Sequence, residues 1–317
     1  MISRGTHAVM DAIMCTMMNR AQWKLRHHAV TRERLDEYLD ACATLDLQTY
    51  YALPQETEVQ WRRDANTLSW NSPISGIYPE NNIARAKLYP TQNPQGAPTL
   101  ILLHALMSSN DYGYRRIANR FNRKGWNVLF PHLPYHYSRR PKGYANGALG
   151  ITSDLVRNAE GLRQSVIELR QLIAWARNHG SRRIALLATS YGAWVAALTL
   201  SQEITDFTIL LQPVADVGHA TFGSPASRTM ASLLAKNGIH RDDIDRHAHL
   251  SSPFHMGTAT RPERITVIGG KHDLLSPPKS LKKLCTAWGG ARYLEVDQGH
   301  FGYGAMRCAL AEADRYL

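Results

Sequence analysis

The sequence predicts an α/β protein with a mostly parallel β-sheet flanked by helices. In the last two thirds of the chain, short apolar segments alternate with long amphipathic ones, which is typical of a parallel sheet covered on both faces. The composition, 44% hydrophobic and 20% charged among 317 residues, is that of a globular protein. Its uninterrupted apolar runs fall short of the roughly 20 residues that a membrane-spanning helix needs.

The first fifty residues have the periodicity of helices. Apolar side chains recur there at helical spacing, namely Leu35, Tyr38, Leu39, Cys42 and Leu45. They predict a helix packed on the body of the protein, with a dimer arm or a foot on a membrane surface as the alternative. We therefore divide the chain into an N-terminal helical extension, residues 1–55, and a main domain, residues 56–317.

The main domain begins with short β-forming segments and continues as an alternation of strands and helices. Strands are predicted at 57–63, 67–72, 83–89, 100–103, 127–130, 184–187, 207–211, 265–268 and 293–296. Helices are predicted at 113–124, from a cap near Ser153 to Gly180, and at 191–202, 277–288 and 301–317. About fifty residues separate the strands at 207–211 and 265–268, far more than an ordinary loop. This segment, about residues 213–262, predicts an inserted cap with helix-like patches such as 228–237.

The segment Ala188-Thr189-Ser190-Tyr191-Gly192 carries the strongest chemical signal. It lies where a predicted strand, IALL, meets an Ala-rich predicted helix. A serine in such a tight strand-to-helix turn presents its hydroxyl at the carboxyl edge of the sheet, and small residues must stand two positions before and after it. The pattern is G-x-S-x-G with alanine in the first place. Ser190 is therefore the predicted nucleophile.

A serine nucleophile needs a base, and the base needs an acid that orients it. In this kind of sheet the three follow one another along the chain as Ser, then Asp or Glu, then His. Asp273 follows the strand ITVI, and His300 follows the strand YLEV, so both are expected at the edge that holds Ser190. Asp216, after the preceding strand, is the alternative acid. His272 is expected at the surface or behind the site.

Acyl transfer also needs hydrogen-bond donors for the oxyanion of its tetrahedral intermediate. The backbone N–H of Tyr191, immediately after the nucleophile, is one expected donor. The second should come from the loop after the strand at 100–103, where we prefer the amide of Leu106 to that of Ala105.

The aromatic and basic segment at 134–141 leaves the predicted sheet at the same edge. Tyr135, His136 and Arg139 are its candidates for lining a substrate pocket, in which Arg139 would favour a carboxylate or phosphate. The alternative is a loop in which Arg139 pairs with an acidic residue elsewhere in the chain.

Taken together, these segments resemble the α/β-hydrolase superfamily over about residues 60–317. The matching pieces are HALM after the third strand, ATSYG at the nucleophile turn, GKHD and the terminal GHF. The resemblance implies a serine esterase-like enzyme with Ser190 as nucleophile, Asp273 as acid, His300 as base, and Leu106 and Tyr191 as oxyanion donors. Ala105 and Ala188 depart from the family pattern, because glycine is common at both places.

The charge and the potential metal ligands indicate neither a nucleic acid nor a cofactor. The formal net charge is +11, but the basic residues are scattered in ones and twos and no nucleic-acid module is visible. The four cysteines have no zinc spacing, and the His and Asp residues at 240–249 fit no closed zinc site. We therefore expect no metal, no other cofactor and no nucleic-acid partner.

The cysteines and the N-terminus bear on the compartment. Four cysteines in a chain of this length fit free thiols in a reducing compartment. Asp11 interrupts the mildly apolar N-terminal segment, which argues against a signal peptide. A cytoplasmic protein is expected.

The sequence as a whole predicts a serine hydrolase that cleaves an ester or related acyl bond of a small molecule. Carboxylesterase activity is the first expectation, with thioesterase, lipase-like and peptidase activities left open. One alternative is a non-catalytic scaffold or binding protein on the same fold. Another is a membrane-surface lipid hydrolase, drawn to anionic lipid by the Met-rich N-terminus and the basic charge.

Overall fold

A nine-stranded sheet organises the part of the chain that the structure, a computed structural model, describes, residues 4–55 and 59–317. The strands are β1 (Arg62–Asp64), β2 (Thr67–Asn71), β3 (Ile83–Tyr89), β4 (Thr99–Leu103), β5 (Asn127–His132), β6 (Ile184–Thr189), β7 (Phe207–Leu211), β8 (Ile265–Gly270) and β9 (Arg292–Val296). Their order in the sheet is β1-β2-β3-β5-β4-β6-β7-β8-β9. The first three are antiparallel to their neighbours, and β4 to β9 pair in parallel. The predicted mostly parallel α/β sheet is thus confirmed. Of the first predicted strand, residues 57 and 58 lie outside the described residues.

Helices lie on both faces of the sheet and in the two segments that flank or interrupt it. They are α1 (Arg4–Lys24), α2 (Arg32–Cys42), α3 (Leu47–Tyr50), α4 (Tyr112–Asn122), α5 (Leu155–Asn178), α6 (Tyr191–Thr199), α7 (Arg228–Lys236), α8 (Arg241–Arg246), α9 (Ala248–Ser251), α10 (Pro278–Ala287) and α11 (Gly304–Ala313). The cap of α5 is Asp154, whose side chain accepts a hydrogen bond from the amide of Arg157, rather than the neighbouring Ser153. None of the described helices is both long and apolar enough to cross a membrane.

The two faces of the sheet bury separate cores because successive side chains of a strand point to opposite sides. Ile101 and Leu103 of β4 face the core that α5, α6 and α10 cover. Leu100 and Leu102 face the core covered by α4 and α11. Strands buried on both faces read as continuous apolar runs, which is why IALL and ITVI were recognisable in the sequence.

The register of the parallel strands brings their carboxyl ends to one edge. Leu103 pairs with Ala188, Thr189 with Leu211, and Leu211 with Ile268. The residues that follow β4, β6, β7, β8 and β9 therefore meet at this edge. It is the edge at which the sequence predicts chemistry.

The N-terminal helices pack on the body of the described chain. Leu35 and Leu39 of α2 are buried against Val156 of α5 and Leu234 of α7. The hydroxyl of Tyr38 donates to Glu160 Oε1 at 2.7 Å. The predicted apolar stripe thus contacts the main body. The division at residues 55 and 56 adjoins residues 56–58, which lie outside the described residues, and it stays a prediction.

Helices α7, α8 and α9 lie between β7 and β8, where the sequence predicts a cap at about 213–262. α7 contacts α1, and its Met230 and Leu234 lie in one buried cluster with Leu35 and Leu39 of α2. That this segment acts as a cap stays a prediction.

Truncating a side chain of the central strands should destabilise the whole domain. Leu186 of β6 is 0% exposed, so Leu186→Ala is expected to lower the free energy of unfolding by about 2–5 kcal/mol through lost burial and a residual cavity. Ile204, 65% exposed, is the control, and Ile204→Ala should change it by less than about 0.5 kcal/mol. Urea denaturation measures both, and equal effects of the two substitutions would contradict the burial argument.

Candidate active site

Ser190 occupies a strained turn between β6 and α6. Its φ of 51° and ψ of −112° lie in a region that non-glycine residues rarely adopt. The conformation is held from outside the turn, because the amide of Ser190 donates to the carbonyl of Leu211 at 2.8 Å. Strain of this kind persists only where the surrounding structure over-determines it, and it clusters at functional sites.

The small residues that flank Ser190 have different reasons to be small. A Cβ on Gly192 would lie 2.5 Å from the carbonyl oxygen of His104, to which the amide of Gly192 donates at 3.1 Å. Glycine is therefore required there. Ala188 is 0% exposed and its methyl group belongs to the buried core, so alanine fits the first place of the pattern.

The structure brings Ser190, His300 and Asp273 into one hydrogen-bonded chain. Ser190 Oγ lies 2.9 Å from His300 Nε2, and His300 Nδ1 lies 2.8 Å from Asp273 Oδ2. The side chain of His300 is 6% exposed and that of Asp273 is 0% exposed. Asp216, the alternative acid, instead accepts a hydrogen bond from the amide of His219 and pairs with Arg241.

Every oxygen of the Asp273 carboxylate has donors around it. Oδ1 accepts from the amides of Leu275 and Ser276, both at 2.8 Å. Oδ2 accepts from His300 and from Nε2 of Gln212, which lies 2.6 Å away. These donors compensate a buried negative charge and fix the carboxylate against the imidazole.

Gln212 is a site residue that the sequence analysis missed. It directly follows β7, has a φ of 49°, and also donates from Nε2 to the carbonyl of Gly299 at 2.9 Å. Its position after a parallel strand was a usable signal, since Ser190, Asp273 and His300 also follow strands. An amide side chain carries no catalytic pattern of its own, however, and its partners lie 61 and 87 residues away.

Opposing effects act on the protonation of His300. Burial by itself lowers the pKa of the imidazole, but the charge and hydrogen bond of Asp273, together with the charge of Asp11, raise the pKa above its ordinary value of 6.5. The cationic form that a proton transfer from Ser190 would create is thus stabilised.

In the loop after β4, the amide of Leu106 lies between two amides that are hydrogen-bonded. The amide of Ala105 donates to Tyr114 Oη at 3.0 Å, and that of Met107 donates to His136 Nε2 at 3.3 Å. Within the described residues, no acceptor is recorded for the amide of Leu106. Tyr191 is the first residue of α6, where amide groups have no partner within the helix. The two amides that the sequence analysis preferred therefore remain available as donors.

His136 acts on this loop and is not exposed to a pocket. It is 0% exposed, and burial lowers its pKa to about 4, so the ring is neutral near pH 7. Nδ1 lies 2.7 Å from the carbonyl of Pro134 and must be the donor of that bond, which leaves Nε2 to accept from Met107. A neutral histidine thereby supports the loop that carries Leu106. Tyr135, another pocket candidate of this segment, is 6% exposed with a φ of 67°, and its part in lining a pocket stays a prediction.

The expectation that Arg139 lines a substrate pocket is corrected by its contacts. Its side chain is 0% exposed and forms a two-pronged ion pair with Glu168, at 2.5 and 2.8 Å. The guanidinium also donates to the carbonyls of His132 and Asn81. Arg139 thus pairs with an acidic residue of α5, which is the alternative that the sequence analysis left open.

A second site residue, Asp11 of α1, has no role at the site in the sequence analysis. Asp11 accepts hydrogen bonds from the amides of His300 and Phe301, at 3.0 and 3.1 Å. No local pattern indicates this contact, which joins residues 289 positions apart.

No group of three side chains suited to a metal ion lies together in the described ranges. The acidic and histidine residues at 240–249 have other contacts. Asp243 pairs with Arg32 at 2.8 Å and accepts from the amide of His240, and His247 is buried beside Tyr38 and Tyr50.

The Arg139–Glu168 pair yields a test of the corrected role. Arg139→Met leaves the Glu168 carboxylate buried without its cation, so the free energy of unfolding should fall by about 3–5 kcal/mol. Arg139→Met with Glu168→Gln should recover part of that loss, and Arg140→Met, at an exposed neighbour, should have little effect. A role in substrate binding would instead raise KM for ester hydrolysis at unchanged stability, which denaturation curves and kinetics together distinguish.

Solved structures with a similar fold include two esterases. An acetyl xylan esterase from Paenibacillus sp. R4 aligns with a TM-score of 0.60 at 12% identity, over 92% of this chain and 98% of that one. Acetyl xylan esterase 1 from Thermoanaerobacterium sp. JW/SL YS485 aligns with a TM-score of 0.56 at 14% identity, over 91% and 96%. At these identities the likeness is one of fold.

A sequence relative and a family profile narrow the relationship. An uncharacterized protein of Mycobacterium tuberculosis strain H37Rv is 26% identical over 245 residues, 73% of this chain and 55% of the relative. The chain thus spans about half the length of the curated relatives it matches. The profile of the family described as alpha/beta hydrolase domain containing 18 matches residues 33–259. The superfamily resemblance is confirmed, and the chain belongs to the alpha/beta hydrolase domain containing 18 family.

Proposed function

We propose that the protein is a serine hydrolase that cleaves an ester bond through an acyl-enzyme formed on Ser190. The observation that carries the proposal is the chain of short contacts, 2.9 Å from Ser190 Oγ to His300 Nε2 and 2.8 Å from His300 Nδ1 to Asp273. A nucleophile within reach of a base, and a base oriented by a buried acid, are the arrangement that acyl transfer needs.

In the first half of the proposed reaction, His300 Nε2 takes the proton of Ser190 as Oγ attacks the carbonyl carbon. The oxyanion that forms accepts hydrogen bonds from the amides of Tyr191 and Leu106. The intermediate then collapses, the bond from carbon to the alcohol oxygen breaks, and the departing alcohol takes the proton from His300. Asp273 stabilises the imidazolium throughout and is not itself protonated.

In the second half, water replaces the alcohol. His300 takes a proton from the water as its oxygen attacks the acyl carbon, and the bond to Ser190 Oγ breaks as the proton passes to that oxygen. The products are a carboxylic acid and the free serine. We propose a small ester as substrate, with carboxylesterase chemistry first. Free thiols at Cys15, Cys42, Cys285 and Cys308 support the cytoplasm as compartment.

A non-catalytic scaffold on the same fold is the competing function. A scaffold has no use for a strained serine or for a fully buried carboxylate, each of which costs stability. The φ of 51° at Ser190 and the four donors around Asp273 therefore favour an enzyme.

A lipid hydrolase that works at a membrane surface is a second candidate, because α1 presents an apolar row to solvent. Val9, Ile13 and Met17 recur every fourth residue and are 60%, 55% and 57% exposed. The exposed basic residues Arg20 and Lys24 follow on the same helix. Exposed apolar rows with adjacent basic residues are typical of helices that lie on anionic membranes.

The ester-hydrolase proposal predicts that activity depends on one hydroxyl group. Wild-type protein should hydrolyse members of a p-nitrophenyl ester series from acetate to decanoate, and Ser190→Ala should lower kcat at least about 1,000-fold. Ser201→Ala is the control, since that hydroxyl bonds to the carbonyl of Leu198 and should leave the rate unchanged. Equal turnover by wild type and Ser190→Ala would contradict the proposed nucleophile.

The lipid-surface candidate predicts vesicle binding through α1. Wild-type protein should sediment with phosphatidylglycerol vesicles at low salt, and Ile13→Gln with Met17→Gln should lower the bound fraction several-fold. Ile204→Gln, at a 65% exposed position away from α1, is the control. Equal sedimentation of all three proteins would remove the specific support for this candidate.

A further inference from the structure

The contact between α1 and the segment after β9 joins a side-chain carboxylate to backbone amides. The carboxylate of Asp11, 9% exposed, bridges two consecutive backbone amides, with Oδ2 on His300 and Oδ1 on Phe301. Neither amide has a recorded main-chain acceptor in the described chain. Gly299 makes room for the carboxylate, because a Cβ there would lie 2.0 Å from Asp11 Oδ2.

We propose that Asp11 is a positioning residue that holds His300 in register between Ser190 and Asp273. The inference rests on the proposed function, since it assigns the residue a part in the same proton transfers.

The backbone of this segment is held from two sides. Gln212 donates to the carbonyl of Gly299 at 2.9 Å, and Gln298 Oε1 accepts from the amide of Ala305 at 2.9 Å. These bonds hold the parts of the loop before and after the histidine. Asp11 accepts from the amides of His300 and Phe301 themselves, which would otherwise be part-buried donors without a recorded protein acceptor. A displacement of about 1 Å at a reacting group can cost about 100-fold in rate.

The role of Asp11 is separable from the docking of α1. Asn19, two turns further along the helix, donates to the carbonyl of Pro225 at 2.9 Å and accepts from the amide of Thr229 at 2.7 Å. Gln22 donates to the carbonyl of Ile151 at 2.7 Å. These contacts anchor the helix independently of Asp11. A substitution at Asn19 therefore tests the docking of α1, and a substitution at Asp11 tests the positioning of His300.

The charge of Asp11 adds a readout that a merely structural contact would not move. The charged groups that act on His300 are the carboxylates of Asp273 and Asp11, and both raise its pKa. Cys15 faces the same region from α1. Burial and then the charge of Asp11 raise the pKa of its thiol, so it is neutral near pH 7. Removing the charge of Asp11 therefore lowers the pKa of His300. His300 loses its proton on the acidic limb of the plot of activity against pH, so this limb moves to lower pH.

The first test compares Asp11→Asn with Asn19→Ala. Asp11→Asn keeps the shape of the side chain, loses the charge and loses one of the two accepting oxygens. We expect kcat for p-nitrophenyl ester hydrolysis to fall about tenfold at nearly constant KM, with the acidic limb displaced to lower pH. Asn19→Ala should keep kcat within about twofold and leave the limb in place. The proposal would be overturned if Asp11→Asn had the kcat and the acidic limb of the wild type. It would also be overturned if Asn19→Ala lowered kcat and displaced the acidic limb as Asp11→Asn is expected to do.

The second test uses the space that Gly299 leaves. Gly299→Ala places a methyl group against the Asp11 carboxylate and should lower kcat about as much as Asp11→Asn. In an Asp11→Ala background the collision is gone, so Gly299→Ala should then cost less than about twofold further. Additive losses in the double variant would show that the two positions act independently and would contradict the proposal.

A titration separates this proposal from the proposed function. With 13C-labelled histidine and His300→Asn for assignment, NMR gives the pKa of His300 whether or not an ester is turned over. A lower pKa in Asp11→Asn than in wild type supports the coupling, and an unchanged pKa contradicts it. Wild-type protein that hydrolyses no ester while this shift persists would count against the hydrolase proposal alone.

Discussion

A buried carboxylate, that of Asp273, is the constraint on which the site depends. A charge without exposure to water is tolerated only when donors surround it. Here the donors come from the following turn, at Leu275 and Ser276, from the end of β7, at Gln212, and from His300. Satisfying this one group therefore ties together the ends of β7, β8 and β9.

The position of the His300 imidazole follows from the placement of Asp273. Asp273 holds Nδ1, which leaves Nε2 directed at Ser190, and Asp11 holds the amide of the same residue. The histidine is thus fixed through both its side chain and its backbone. The same contacts explain why its pKa is raised despite burial, since two carboxylates oppose the cost of desolvation. The N-terminal helix is in this way joined to the chemistry of an edge that lies almost 300 residues later in the chain.

The residues that sequence reasoning located are those with a local pattern. The turn around Ser190 joins a recognisable strand to a recognisable helix, and Asp273 and His300 follow strands whose apolar runs reflect burial on both faces. Gln212 also follows a predicted strand, but its amide side chain carries no catalytic pattern. Asp11 and the partner of Arg139 carry no local pattern at all, because their contacts depend on how distant segments fold together. Arg139 illustrates how a distant partner escapes sequence reasoning. The position of its segment at the active edge predicts a pocket-lining arginine, but Arg139 pairs with Glu168 inside the protein.

The central claim is that Ser190 becomes acylated, and trapping the nucleophile tests it most directly. A fluorophosphonate probe, incubated with wild-type protein and with His300→Ala, should form an adduct in the wild type that peptide mass spectrometry maps to Ser190. The His300→Ala protein should react far more slowly, because the hydroxyl loses its base. An adduct at another residue, or labelling of Ser190 at the same rate without His300, would contradict the account.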